Sequence, residues 1–259
     1  MEHSLQMNES ARRWGALWSF DPDAWAMNET QQTPVYEAAL RATGLERGAR
    51  VLDVGCGTGV FLRLCADRGA EVAGVDAAAG LLDLARIRVP DADLSQADMV
   101  DLPYGDDTFD LVTGFSSFFF ADDIVRALSE ARRVARPGAA VVAEVFGHPD
   151  RCDLEHVKAA VAPVREGERE YWRPDAVEML LPETGLRFEQ AFDVDCVYRY
   201  PDAAALTEAM LAAGGAGLLA GPERLDTVRA AIIDALAHCR QADGSYHVAN
   251  EWHVVVARA

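Results

Sequence analysis

A doubly wound, mostly parallel α/β sheet of seven strands is the fold this sequence predicts, on two observations. Between residues 49 and 147, short β-branched runs alternate with segments of helical period, at the spacing of strand–helix–strand units. The strand runs are apolar almost throughout, as strands covered on both faces must be.

The elements follow in order. Residues from about 10 to 45 carry helical spacing interrupted by Pro22 and Pro34, and hold the aromatics Trp14, Trp18, Phe20, Trp25 and Tyr36. ARVLDVG (49–55) is a β-branched run ending in glycines and reads as a buried first strand. GVFLRLCADRG (59–69) has the helical period and a Gly stop. AEVAGVD (70–76) is the second strand, and AAGLLDLARIRV (78–89) is a helix closed by Pro90. ADLSQAD (92–98) and TFDLVTGFSS (108–117) are the third and fourth strands; a helix over 123–135 and a fifth strand, AAVVAEVFG (139–147), complete the alternation. GLRFEQAFDVDCVYRY (185–200) and EWHVVVARA (251–259) read as two further strands forming an antiparallel edge. The helical stretches 202–213 and 222–240 are joined by GGAGLLAGP (214–222), which reads as a mobile turn. The expected organisation is an N-terminal helical lid segment, 1–45, and a main domain, 46–259, with further lid helices at about 200–240.

Composition narrows the function classes. The 259 residues carry 24 basic and 42 acidic side chains, a net charge of −18. That field repels phosphate backbones and anionic lipid heads, so neither a nucleic acid nor a membrane is an expected partner. The basic cluster Arg132, Arg133 and Arg136 falls at the end of a helix. No uninterrupted apolar run approaches the roughly 20 residues that span a bilayer. The start MEHSLQMNESARRW has no apolar signal core, so a cytoplasmic location is expected. Five scattered cysteines with no CxxC, and six histidines with no HExxH-type pair, point to no disulfide framework and no metal. The oligomeric state is not encoded in any recognisable pattern; a homodimer stays open.

Most of the chemistry lies in VLDVGCGTGVF (51–61), which ends a strand and opens a helix. Gly55, Gly57 and Gly59 let the backbone turn sharply and approach a ligand, and the helix start offers free N–H groups. The G-x-G-x-G spacing after Asp53 departs from the G-x-G-x-x-G dinucleotide fingerprint, and Asp53 suits a cationic ammonium better than a pyrophosphate. Asp76 ends the second strand, where a carboxylate accepts hydrogen bonds from ribose hydroxyls. Asp98 closes the third strand with Met99 beside it, an acid and a soft apolar side chain able to hold an adenine. Bland alternatives stand beside each: a simple Gly-rich turn, a helix N-cap for Asp76, a solvated loop acid for Asp98.

Together VLDVGCGTG, GVDAAAGLLDLAR, QADMVDLPYGDDTFDLV and ALSEARRVARPGA, with the terminal NEWHVVVARA, resemble the class I S-adenosylmethionine-dependent methyltransferases, in particular the small-molecule type of the UbiE and methyltransferase-11 kind. The resemblance spans about residues 40–147. It implies a Rossmann-like methyltransferase fold with S-adenosyl-L-methionine as cofactor and S-adenosyl-L-homocysteine as product. It implies that Gly55, Cys56 and Gly57 line the methionine part, with Asp53 and Gly59 in the same loop. Asp76 would bind the ribose with Ala77 beside the adenosine, Asp98 the adenine amine, Met99 its ring, and Phe115 would give a main-chain contact. Three departures stand out: Ala77 where Ser is frequent, Gly138–Ala139 where two glycines are usual, and FSSFFFADD (115–123) where a polar run is frequent. The last makes the acceptor side unusually apolar.

Methyl transfer from a sulfonium is an in-line displacement helped by positioning and, for an acidic acceptor, by a base. His148, after the fifth strand, is the candidate base; Glu144, His156, Tyr198 and Tyr200 are further options. Trp25, Tyr36, Phe119, Phe120 and Tyr198 are the candidate substrate pocket, though the phenylalanines could equally pack a helix. The expected activity is methylation of a small, fairly apolar metabolite in natural-product biosynthesis. The alternatives are a cyclase or isomerase of the same fold that binds the cofactor without spending it, and a non-catalytic scaffold.

Overall fold

The structure, a computed structural model, describes residues 7–164 and 174–259. His3 and the first six residues of the expected lid segment lie outside the described residues.

Seven strands form one sheet: β1 (Arg50–Val54), β2 (Glu71–Asp76), β3 (Asp93–Gln96), β4 (Phe109–Phe115), β5 (Ala135–Phe146), β6 (Arg187–Tyr200) and β7 (Tyr246–Arg258), in the order β3-β2-β1-β4-β5-β7-β6. The first five are parallel, and β7 runs antiparallel between β5 and β6. The period of two along these strands divides the core. Val51, Leu111, Val142, Val254 and Val256 face one way, while Leu52, Val54, Val112, Val141 and Val255 face the other. β7 begins at Tyr246 rather than at Glu251, because Tyr246, Val248 and Asn250 already alternate inward.

The described residues also form the helices α1 (Glu9–Trp18), α2 (Pro22–Gln31), α3 (Thr33–Thr43), α4 (Val60–Asp67), α5 (Ala79–Arg88), α6 (Ile124–Val134), α7 (Leu154–Val161), α8 (Ala176–Thr184), α9 (Ala203–Ala212), α10 (Ala216–Ala220) and α11 (Leu225–Ala235). Pro22 and Pro34 open helices rather than break them. Pro22 follows the N-cap Asp21, whose Oδ1 accepts from Ala24 N at 3.1 Å, and Pro34 sits in the first turn of α3. Helices α7 and α8 fall in 148–184, for which the sequence reading gave no element.

The stretch expected to be a mobile turn is instead a kink followed by α10. Gly214 and Gly215 take φ of 60° and 66°, and Gly214 through Gly217 and Ala220 are buried. The glycines are there for proximity: a Cβ on Gly215 would lie 2.6 Å from the Leu17 carbonyl oxygen, and one on Gly217 2.7 Å from the Phe20 ring. The first residues of the chain's helical segment therefore rest directly on this kink. Ala203–Ala220 is long and apolar enough to cross a membrane by length and composition, and 61% of it is buried inside the fold.

Candidate active site

The strand order reverses between β1 and β4, so the loops that leave their C-terminal ends diverge and open a crevice. A cavity of about 870 Å³ lies there. Its floor is the glycine loop after β1. Gly55 and Gly57 adopt φ of 77° and 54°, and the N–H groups of Gly55 and Cys56 both donate to Val75 O, at 2.7 and 3.0 Å. The loop is thereby tied to the end of β2. It has no room for side chains at its glycines: a Cβ on Gly55 would lie 2.4 Å from Ser117 Cβ, and one on Gly57 2.8 Å from Glu29 Oε2.

Asp76 holds the loop from the neighbouring strand end. Its Oδ2 accepts from Gly57 N at 2.9 Å and its Oδ1 from Ala78 N at 2.8 Å. A carboxylate offers about four acceptor positions, so these contacts leave capacity for a ligand hydroxyl. Asp98 accepts from Val100 N at 3.1 Å through Oδ1 and from Asn8 N at 3.2 Å through Oδ2. The N-terminal segment thus closes onto the same acid. Ala77, Met99, Phe115, Asp53 and Cys56 line the cavity with them.

Asp53 is buried, and its Oδ1 accepts from Thr113 Oγ1 at 2.7 Å. Loss of water pushes its carboxyl up to about 8, against the Thr113 hydrogen bond, and the nearby Glu29 and Asp76 charges add to the rise. Glu29 had no signal in the sequence: it is an acid near the end of a helix with no motif around it, and only tertiary packing brings α2 to the loop. Its carboxylate accepts from Thr58 N at 2.8 Å and Val60 N at 3.1 Å, at the start of α4. Burial raises Glu29 and Asp76 as well. Three carboxylates around one glycine loop, Asp53 and Glu29 buried and Asp76 partly so, make a site that favours a positively charged ligand.

The other end of the cavity is aromatic. Trp14 and Trp18 stack edge-on against Phe120, with centroids at 4.7 and 5.5 Å, and Trp18 meets Trp25 at 4.6 Å. Tyr36 packs on Phe115 at 4.7 Å and donates to Gln32 Oε1 at 2.7 Å. Phe119, Phe146, Tyr198 and Trp252 complete this wall. Of the FFF run, Phe118 turns away into the opposite core beneath Gly114.

Two expected site residues sit elsewhere. His148 does not line the cavity: it caps a short turn at 149–151, its Nδ1 accepts from Asp150 N at 3.3 Å, and its side chain is 62% exposed. The chain bends after β5 because His148 N donates to Glu251 Oε1 at 3.0 Å, which carries the imidazole outward. Gly59 likewise lies outside the lining. It is the left-handed N-cap of α4, and its Cα faces Val89 and Ala85 of the neighbouring helical layer at 3.2–3.4 Å from an added Cβ.

Among the other base candidates, the phenols of Tyr198 and Tyr200 are pushed up by burial, away from the range of a useful base. His156 is exposed. Glu144 is different. It is 1% exposed on β5, and its Oε2 accepts from Ser116 Oγ at 2.6 Å. Its Oε1 has no hydrogen-bond partner among the described residues, and burial lifts the carboxyl to about 8. Ser116 lines the cavity and holds φ at 49°, a left-handed conformation that is costly for a residue with a Cβ.

Comparison with known proteins agrees with this architecture. The family model described as a methyltransferase domain matches residues 52–143. The malonyl-[acyl-carrier protein] O-methyltransferase of Geobacter sulfurreducens is 33% identical over 213 residues, covering 78% of this chain and 79% of the relative. The demethylmenaquinone methyltransferase of Renibacterium salmoninarum is 38% identical over 127 residues, covering 49% of this chain and 53% of that protein, about half its length. A solved S-adenosylmethionine-dependent methyltransferase from Aquifex aeolicus superposes with a TM-score of 0.52 at 19% identity, covering 66% of this chain and 93% of that one. With the strand order, the glycine loop and the acid-rich crevice, these likenesses place the chain in the class I S-adenosylmethionine-dependent methyltransferases.

Proposed function

We propose that this methyltransferase acts on a small, largely apolar metabolite of natural-product biosynthesis, and that it works in the cytoplasm without a nucleic-acid or membrane partner. The observation that carries the reading is the cavity of about 870 Å³ at the strand ends, acidic on that side and aromatic opposite. Its size is near the upper end of ligand pockets, enough for a cofactor and an acceptor side by side. S-adenosylmethionine supplies an electrophilic methyl on a sulfonium, which matches the three carboxylates around the glycine loop. In this reading Gly55, Cys56 and Gly57 flank the methionine part, with Asp53 and Glu29 balancing its positive charge. Asp76 takes the ribose hydroxyls, Ala77 lies beside the adenosine, Asp98 accepts from the adenine amine, Met99 covers the ring, and Phe115 contributes main chain. Helices α1–α3 and α9–α11 act as the lid.

Trp25, Tyr36, Phe119, Phe120 and Tyr198 form the acceptor wall, where apolar burial and exclusion of water hold the acceptor in line. Ser116 and Glu144 replace His148 as the proton-accepting pair. The acceptor's proton passes to Ser116 Oγ as the Ser116 proton passes to Glu144 Oε2, along the existing 2.6 Å hydrogen bond. Five free, buried cysteines accord with a reducing compartment.

The test is turnover with a panel of hydroxylated and carboxylated apolar compounds, read by S-adenosylhomocysteine formed per product. One equivalent per methylated product is expected. Product released with no S-adenosylhomocysteine would replace methyl transfer by a cyclase or isomerase reaction on the same fold.

A further inference from the structure

A second cluster lies outside the cavity lining, at the N-terminus of α7. Asp153 immediately precedes α7, while His238 and Cys239 lie in the 3-10 turn that follows α11. The three come together across 85 residues of sequence: His238 Nε2 is 2.9 Å from Asp153 Oδ1, Cys239 Sγ is 3.2 Å from Asp153 Oδ2, and Sγ is 3.4 Å from His238 Nε2. We propose that Asp153, His238 and Cys239 form a metal site for a zinc-like divalent cation.

Hydrogen bonds join all three groups. The imidazole N–H points to one carboxylate oxygen and the thiol S–H to the other. The third side brings a sulfur and a ring nitrogen to 3.4 Å, a weak hydrogen bond whose direction depends on the imidazole tautomer. A cation at the centre satisfies all three. One nitrogen, one oxygen and one sulfur is a donor set that tetrahedral zinc accepts readily. Donor atoms around tetrahedral zinc stand roughly 3.3–3.6 Å apart, so one carboxylate oxygen, the imidazole nitrogen and the sulfur need to draw together modestly around the ion. Among the described residues, these three ligand atoms lie within 4.8 Å of one another.

The site is built on fixed backbone. Asp153 N donates to Ala249 O at 2.8 Å, and Ala249 N donates back to Asp153 Oδ2 at 2.7 Å, so β7 holds the carboxylate in place. Cys239 is 3% exposed, whereas the His238 side chain is 51% exposed and leaves a fourth position open to water. Binding releases the thiol proton to solvent as the thiolate–metal bond forms. The consequence reaches the cavity, because α7 carries Leu154, Val157 and Val161 on its lining. A metal here pins the N-terminus of that wall to β7 and to the end of α11.

The test uses the full chain, stripped with chelator and dialysed against zinc. One zinc per chain by elemental mass spectrometry is expected. Cobalt(II) in its place is expected to give thiolate-to-metal charge-transfer absorption. Cys239→Ala and His238→Ala each lose both signals, while Cys152→Ala keeps them. His238 is largely exposed, so His238→Ala carries the result if the Cys239 variant does not fold. Unchanged far-ultraviolet circular dichroism and S-adenosylhomocysteine binding certify folding. Wild type that retains no zinc, or folded variants that bind it as wild type does, would overturn the site.

Discussion

At the scale of single residues, the site depends on carboxylates whose burial is compensated by backbone amides. Removing Asp76 leaves the amides of Gly57 and Ala78 without their acceptor. Asp76→Ala should therefore weaken cofactor binding by about 1–3 kcal/mol, roughly 5- to 150-fold in Kd, by titration calorimetry. Unchanged affinity would remove Asp76 from the ribose contact. Gly57→Val should also abolish uptake, and the structure supplies a different reason from a simple block of the ligand's path. The new Cβ meets Glu29 and the residue must hold a positive φ. At Glu144, the predicted readout is a pH profile. Its folded-state carboxyl titrates at about 8, so the proton-accepting form grows as pH rises towards that value. kcat should climb with a limb near pH 8. Glu144→Gln should flatten the limb and cost about 10²- to 10⁴-fold in kcat, with KM little altered. A limb that survives in the variant would assign the base elsewhere.

At the scale of elements, α1 is wedged between the strand-two turn and the α9–α10 kink. A Cβ on Gly15 would lie 2.3 Å from the Ala77 carbonyl oxygen, and Gly215 approaches Leu17 from the other side. Gly15→Val should push α1 off the Ala77 end of the cavity, at a cost of about 1–3 kcal/mol in its docking. Proteolysis within residues 9–18 should accelerate and cofactor affinity should fall about tenfold or more, while the thermal midpoint of the sheet core moves little. An unchanged cleavage rate would mean that α1 does not govern access. The same contacts explain why 214–222 reads as a loop in sequence. Glycines that serve close helix approach carry the same local signature as glycines that serve a turn.

At the scale of the molecule, burial of acids couples folding to pH. Asp53 and Glu144 each rise to about 8 in the folded state, above the ordinary carboxyl value near 4 of the unfolded chain. These carboxyls hold their protons more tightly when folded, so this contribution is full below about pH 4 and is lost as pH rises through about 8. Denaturant melts of the cofactor-free protein should show stability falling from pH 5 to 8, against the usual trend for salt-bridged acids. A cationic ligand reverses part of this by favouring the charged carboxylates. S-adenosylmethionine affinity should therefore rise by up to about tenfold per pH unit for each proton released across that window, and more steeply than that of S-adenosylhomocysteine, which lacks the sulfonium charge. Equal slopes for the two ligands would separate the acidic cluster from the sulfonium.

Local pattern was enough for the alternating strands and helices of 49–147, the glycine loop and the acids at three strand ends. Those features follow from side-chain period, β-branching and backbone freedom, which each short segment carries within itself. Tertiary structure alone decided the rest. It turned His148 outward through Glu251, set Gly59 against its neighbouring helix, and brought Glu29 onto a loop about thirty residues away in sequence. It also joined Ser116 to Glu144 and Asp153 to His238 and Cys239. Such pairings depend on which faces of distant elements meet, and that is fixed by packing of the whole core rather than by any local run of residues.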